Sequence, residues 1–149
     1  MKSRLLAVGL MCLTSSMFAQ DYPFIVDGAV HVDRSCHVQL NPDANGKVKE
    51  KKIAALCMIT KDKDVYATHS VMSNGMPRIG QVQLIEMEYS LSNPTREPLK
   101  FELTYRMDKG FTYDPNSGPP PASVTNVMAI FEKVVAPGQV LRLDLAERK

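Results

Sequence analysis

This chain of 149 residues has no tryptophan, few cysteines and histidines, and no large excess of charge of either sign. It also lacks the short motifs of nucleophilic, zinc-dependent and phosphate-binding sites, such as G-x-S-x-G, H-E-x-x-H and a glycine-rich loop. Because the sequence offers no set of catalytic residues, we expect a protein that is not an enzyme. The 18 basic residues are nearly balanced by 16 acidic ones, so a basic surface for nucleic acid is not expected either.

Long apolar runs are also absent. The longest one, residues 5–13, is too short to span the roughly 30 Å hydrocarbon core of a bilayer. It follows the basic residues Lys2 and Arg4 and precedes small residues ending at Ala19, which is the pattern of a cleaved export signal. We therefore predict a signal peptide over residues 1–19, no transmembrane segment, and a mature protein that is periplasmic or secreted.

Two cysteines, Cys36 and Cys57, remain after the signal. In an oxidising compartment such a pair predicts one disulfide, which would stabilise the fold by about 3 kcal/mol by restricting the unfolded chain. The alternative is a pair of unbridged buried thiols. Cys12 lies inside the signal, where the bulky Met11 before it argues against processing as a lipoprotein.

Alternation of apolar and polar residues dominates the remainder of the chain and favours strands with one buried face. The clearest runs cover residues 85–92 and 99–107, and the prolines and Asn93 between them predict a hairpin. Residues 124–135 and 141–145 repeat this arrangement about a Pro-Gly turn. Further strand candidates cover residues 24–32, 36–40 and 53–59. No long amphipathic helix is apparent, so the sequence predicts an all-β fold, a β-sandwich of about seven antiparallel strands.

The segment from Asn93 to Tyr105, followed by Val135-Ala136-Pro137-Gly138-Gln139 and alternating leucines, resembles the C-terminal half of bacterial exported immunoglobulin-like domains. The resemblance covers residues 81–145 and concerns the fold alone. It implies one immunoglobulin-like β-sandwich domain over residues 20–149 and carries over no activity. The cysteines depart from the immunoglobulin pattern, in which a bridge between sheets lies near a tryptophan, because here they are close in sequence and tryptophan is absent.

Two segments lack a clear strand pattern. Residues 60–80, with one short strand at most, and residues 108–123 are therefore predicted to be long connections, which in a compact domain are often functional. Aromatic side chains on such loops make good anchors for a partner. We therefore predict that Tyr66, Phe111 and Tyr113 contact a partner, with packing against the sheet ends as their alternative role.

A possible metal site lies in the first of these segments. His69, Met72 and Met76 supply the imidazole and thioether groups that suit Cu(I). An alternative function is therefore copper binding by an exported protein, and without it no cofactor is expected. In the other interpretation the two methionines cover the edge of the core as adaptable apolar residues.

The basic run at residues 47–52 favours a solvated edge strand, because lysines protect such an edge from unwanted pairing. From these features we expect an exported, non-catalytic binding module of the cell envelope, whose partner is a protein or an envelope component. A second alternative is an inhibitor of exported proteases that presents an extended loop such as residues 114–121.

Overall fold

The structure, a computed structural model, describes residues 22–149, so the predicted signal lies outside the described residues. Within this range the chain forms ten strands and no helix, which confirms the all-β prediction. The strands are β1 (Val30–Asp33), β2 (His37–Gln39), β3 (Glu50–Lys52), β4 (Cys57–Ser73), β5 (Met76–Ser92), β6 (Leu99–Arg106), β7 (Thr112–Tyr113), β8 (Ser123–Val124), β9 (Met128–Val135) and β10 (Val140–Arg148). Their number exceeds the expected seven mainly because several are only two or three residues long.

The strands form two sheets that pack face to face, as expected for a β-sandwich. The six-stranded sheet has the order β3-β2-β1-β6-β9-β8, and the four-stranded sheet has the order β4-β5-β10-β7. The expectation of antiparallel pairing alone is wrong, since β1 pairs with β6 in parallel. No tight turn links these two strands, so nothing in the local chain forces them to run in opposite directions.

Both predicted hairpins are wrong. β5 belongs to the four-stranded sheet and β6 to the six-stranded one, and β9 and β10 are divided in the same way. Residues 93–98 and 136–139 therefore carry the chain from one sheet to the other. Alternation and turn residues place two strands around a bend, but they do not decide whether the second strand lies beside the first or stacks on it. Both arrangements bury every second side chain.

Asn93 holds the two crossings together. Its buried Nδ2 donates hydrogen bonds to the carbonyl oxygens of Glu97 (2.6 Å) and Val135 (2.8 Å). Its Oδ1 accepts hydrogen bonds from the backbone N–H (2.8 Å) and the hydroxyl (2.6 Å) of Thr95. The backbone N–H of Asn93 donates to the carbonyl of Gln139 at 3.0 Å. Where the strands leave their sheets, some backbone groups have no partner on a neighbouring strand. The Asn93 side chain provides hydrogen bonds to three of them.

The core lies between the sheets and includes side chains from both. Tyr89 of β5 and Tyr105 of β6 meet edge to face, with ring centroids 6.4 Å apart. The predicted Cys36–Cys57 disulfide is confirmed. Cys36 directly precedes β2 in one sheet and Cys57 begins β4 in the other. The bridge therefore joins the two layers, although the short spacing of the cysteines suggested neighbouring strands. The segment between them passes from one sheet to the other.

Candidate functional site

The two longest strands form a ribbon that extends beyond the sandwich. β4 and β5 have 17 residues each and pair with one another up to a turn at residues 74–75. β10, the other neighbour of β5, ends opposite Leu84. Residues 65–73 and 76–83 therefore continue as a two-stranded ribbon, which we call the arm. No further strand of the described residues pairs with it, and it is about 30 Å long at the usual rise per residue.

The turn at the tip of the arm is encoded by Asn74 and Gly75. Their φ angles are 53° and 75°, the left-handed values that a two-residue type I′ hairpin turn requires. The prediction of a long connection over residues 60–80 is therefore wrong. Asn-Gly is the strongest local hairpin signal and would have located the turn. The flanking residues alternate poorly because the core buries neither face of the arm, so the period of two is weak there.

One face of the arm carries large apolar side chains. Tyr66, Met72 and Ile79 are 66%, 72% and 80% exposed. Ser70 lies opposite Ile79 and Met72 lies opposite Pro77, and residues that lie opposite each other share a face of the ribbon. These side chains therefore form one surface, which we call the Tyr66 face. Exposed apolar groups collected in this way are typical of an interaction site.

The other two aromatic residues predicted to contact a partner are buried. Phe111 and Tyr113 belong to the core cluster, and the Tyr113 ring meets Phe131 edge to face at 5.5 Å. The Tyr113 hydroxyl donates to the carbonyl of Pro119 at 3.0 Å. Neither ring is therefore available on the surface, and the alternative role as packing at the sheet end is the one that the structure shows. Tyr66 is exposed, and its contact with a partner stays a prediction.

The loop expected to serve a protease inhibitor is held against β10. The backbone N–H of Asp114 donates to the carbonyl of Ala146 at 2.9 Å, and the Ser117 hydroxyl accepts from the N–H of the same alanine at 2.8 Å. A Cβ added to Gly118 would lie only 1.9 Å from the carbonyl oxygen of Asp144, so the chain approaches the strand closely there. Because these contacts fix the loop along the sheet, the geometry does not favour a loop that projects into a protease.

The proposed copper ligands do not form a cluster that the structure describes. Met72 lies opposite Pro77, whereas Met76 directly precedes that proline, so the two methionines lie on opposite faces of the arm. The side chain of His69 lies outside what the structure describes. Among the described residues, no group of three His, Cys, Asp or Glu side chains is arranged to hold a metal ion. The pairing of β4 with β5 thus places the thioethers of Met72 and Met76 on opposite faces, although their spacing in the sequence suggested that both could reach one ion.

A partly buried charged cluster surrounds Arg34. The guanidinium of Arg34 lies 2.9 Å from the carboxylate of Glu147, 3.1 Å from Asp108, and 4.7 Å above the ring centroid of Tyr105. Burial raises the pKa of the fully buried Glu147 carboxyl, even though the N–H of Asp108 and the charge of Arg34 act in the other direction. Arg34 directly follows β1 of the six-stranded sheet and Glu147 belongs to β10 of the four-stranded sheet, so this cluster joins the two layers.

An open groove of about 390 Å³ lies on the outer side of the four-stranded sheet. Two of its carboxylates have cationic partners: Glu88 lies 2.6 Å from Arg142, and Glu86 lies 2.8 Å from Lys61. The Thr60 hydroxyl, which donates to Glu88 at 2.7 Å, and Arg142 lower the pKa of Glu88 to about 2. Asp114 and Asp144 also line the groove, so its lining stays acidic. The groove therefore offers no net positive charge that would attract an anionic ligand.

Comparison with protein-family models, with curated proteins and with solved structures gives no match. The resemblance to immunoglobulin-like domains therefore stays an expectation about topology. The two-sheet architecture itself is shown by the structure. The arm packs against neither sheet and exposes large apolar side chains, so its stability gains nothing from the core. The arm is therefore the candidate functional site.

Proposed function

We propose that this protein is an exported, non-catalytic binding module of the cell envelope, and that it contacts a protein partner through the arm. The observation that carries this proposal is the arm itself, with Tyr66, Met72 and Ile79 exposed on one face. An isolated two-stranded ribbon is only marginally stable in water. A ribbon that also exposes large apolar groups gains stability when a partner covers it.

Two features support export to the periplasm or the outside of the cell. The first is the signal-like start of the sequence. The second is the Cys36–Cys57 disulfide, which is the form expected in an oxidising compartment. Separately, residues 22–149 contain no helix that is long and apolar enough to cross a membrane.

A shortened arm provides the test. Deletion of residues 66–73 and 76–83 leaves the sequence Val65-Asn74-Gly75-Leu84. Val65 already lies opposite Leu84. Like the pair Ser73 and Met76 that flanks the natural turn, Val65 and Leu84 form a hydrogen-bonded pair, so the Asn-Gly turn can close between them. We expect the shortened protein to keep its body fold, measured by circular dichroism and thermal unfolding. It should lose the proteins that the full-length mature chain captures from an envelope extract of its own cells.

A matched control removes apolar surface from the body. Val134 and Val140 are exposed on β9 and β10, away from the arm, and a V134S/V140S variant should capture the same proteins as the wild-type chain. A Y66S/I79S variant changes the same number of exposed apolar residues and should lose them. Equal capture by the two variants and by the shortened protein would contradict the proposed role of the arm.

A further inference from the structure

The arm has one edge that is complete for further strand pairing. In a ladder closed by a two-residue turn, hydrogen-bonded and non-hydrogen-bonded pairs alternate away from the turn. Starting from the pair that flanks Asn74 and Gly75, the N–H and C=O groups of four β4 residues point away from β5. These residues are Tyr66, Thr68, Ser70 and Met72.

The opposite edge of the arm is interrupted. On β5 the equivalent outward positions include Pro77, which has no N–H to donate, and Gln83, whose carbonyl already accepts from the N–H of Lys149 at 3.0 Å. The edge of β4 has neither interruption. A strand that joins the arm therefore finds a full set of donors and acceptors along β4 and an incomplete set along β5.

Charge distinguishes this edge from protected edges. β3, the edge strand of the six-stranded sheet, consists of exposed charged residues, as the sequence predicted. Residues 65–73 of β4 contain no Asp, Glu, Lys or Arg. Lys61, Asp62, Lys63 and Asp64 come directly before them, at the base of the arm. The charges thus protect the base of β4 and leave the edge of the arm open.

We propose that β4 of the arm pairs, antiparallel, with β4 of a second copy of this chain about a two-fold axis at residue 69. In this register Tyr66 lies opposite Met72 of the second copy, and Thr68 lies opposite Ser70 of the second copy. A thioether against an aromatic ring and a hydroxyl against a hydroxyl are both favourable cross-strand pairs. All four outward positions are used, and the two-fold axis applies each pair twice.

Other registers are less favourable. A shift towards the tips leaves fewer residues paired. A shift towards the bodies by two residues places Asp64 opposite Met72 of the second copy, and a shift of about ten residues brings Asp64 opposite Asp64 of the second copy. Like charges directly opposite each other destabilise a ladder, so the charged block limits sliding in this direction.

The product of this pairing is a four-stranded ribbon with the order β5-β4-β4-β5, in which the two-fold axis is perpendicular to the sheet. The Tyr66 faces of both copies then lie on the same side and form one larger surface. Three or more strands with an apolar face are what a sheet needs for stability outside a core, so the second copy supplies what the isolated arm lacks. This inference rests on the proposed function, because it assigns a partner to the β4 edge of the same arm.

Two proline variants distinguish the loss of pairing at the β4 edge from a general destabilisation of the arm. Thr68 and Gln81 lie opposite each other in the arm, and the N–H of each points outward, Thr68 at the β4 edge and Gln81 at the β5 edge. Proline is tolerated where the N–H of an edge strand faces solvent. We expect the mature wild-type chain and the Q81P variant to be dimers by sedimentation equilibrium at about 100 μM, and the T68P variant to dissociate at least 10-fold more readily.

The register has its own test. Residue 69 lies on the proposed axis, so H69C chains should crosslink to each other by mild oxidation. A67C chains, whose residue 67 lies opposite residue 71 of the second copy, should not. Crosslinking of A67C in preference to H69C would overturn the register and with it the proposed pairing.

These measurements use the purified protein alone, so they are independent of capture from an envelope extract. A monomeric wild-type chain, or equal dissociation of T68P and Q81P, would overturn the second copy as occupant of the β4 edge. If the shortened arm nevertheless abolished capture, the proposed function would stand and the occupant would be a strand of another protein. If the dimer formed but capture of other proteins did not depend on the arm, the second copy would be the partner of the arm, and the proposed contact of the arm with another envelope protein would be refuted.

Discussion

Replacement of Asn93 tests how the two sheets are held in their relative positions. The N93A variant removes a buried side chain that makes four hydrogen bonds, two donated to carbonyls and two accepted from Thr95. Each such bond contributes about 1 kcal/mol net, and buried groups left without a partner add to the loss. We therefore expect the free energy of unfolding to fall by about 3–4 kcal/mol, a large part of the usual total of about 5–15 kcal/mol.

The assay is urea unfolding followed by far-UV circular dichroism, because the chain has no tryptophan. A matched control is N116A. Asn116 lies exposed in a loop and uses only its backbone N–H in a hydrogen bond, with Asp114, so this variant should change stability by less than about 0.5 kcal/mol. If N93A were no less stable than N116A, the role of Asn93 in joining the crossings would be refuted.

The N93D variant sharpens the argument. Aspartate keeps the oxygen that accepts from Thr95, but it places a second carboxylate oxygen against the carbonyls of Glu97 and Val135, where Asn93 donates. At pH 7 it should be at least as destabilising as alanine, because a buried acceptor then faces two acceptors. Below about pH 4 the carboxyl takes up a proton and can donate again, so part of the stability should return. A loss that does not change with pH would contradict this reasoning.

Three further predictions concern the disulfide and two carboxylates. A C36S/C57S variant should lose about 3 kcal/mol in urea unfolding, and an unchanged midpoint would show that the bridge does not restrict the unfolded chain. R34M should lose about 3–5 kcal/mol at pH 7, because Glu147 is left charged and buried. Since burial raises the pKa of Glu147, that loss should shrink on acidification, and a constant loss would refute the pairing. The pKa of Glu88, about 2, lies below its ordinary value of 4.5, so its stabilising effect is present above that value and fades as the pH falls towards 2. When the pH is lowered from 4.5 towards 2, the free energy of unfolding should therefore fall less for E88Q than for the wild-type protein.

The local part of the fold could be read from the sequence. Alternation over residues 99–107 predicts a strand with one buried face, and the structure shows β6 there with Phe101, Leu103 and Tyr105 buried. The pairing of Cys36 with Cys57 was predicted from the two cysteines that follow the expected export signal, and the structure shows it. The Asn-Gly dipeptide at the tip of the arm carried the same kind of local signal, although the long-connection prediction over residues 60–80 did not use it.

The candidate site was only partly predictable. Tyr66, Phe111 and Tyr113 were all expected to contact a partner from loops, but only Tyr66 is exposed, and Phe111 and Tyr113 are buried. An aromatic residue in an irregular segment has the same local pattern whether the segment projects or folds back over a sheet end. Only the distant contact of Tyr113 with Phe131 of β9 decides between these cases.

By itself, the sequence determined that the chain alternates, bends at its prolines and glycines, and closes one disulfide, because each of these depends on neighbouring residues or on composition. The tertiary structure alone decided that β5 and β6 lie in different sheets and that β1 runs parallel to β6. It also decided that β4 and β5 continue past the end of β10 as a free arm. The physical reason is that a period of two records the burial of one face of a strand, whereas the identity of its neighbours depends on contacts between residues far apart in the chain.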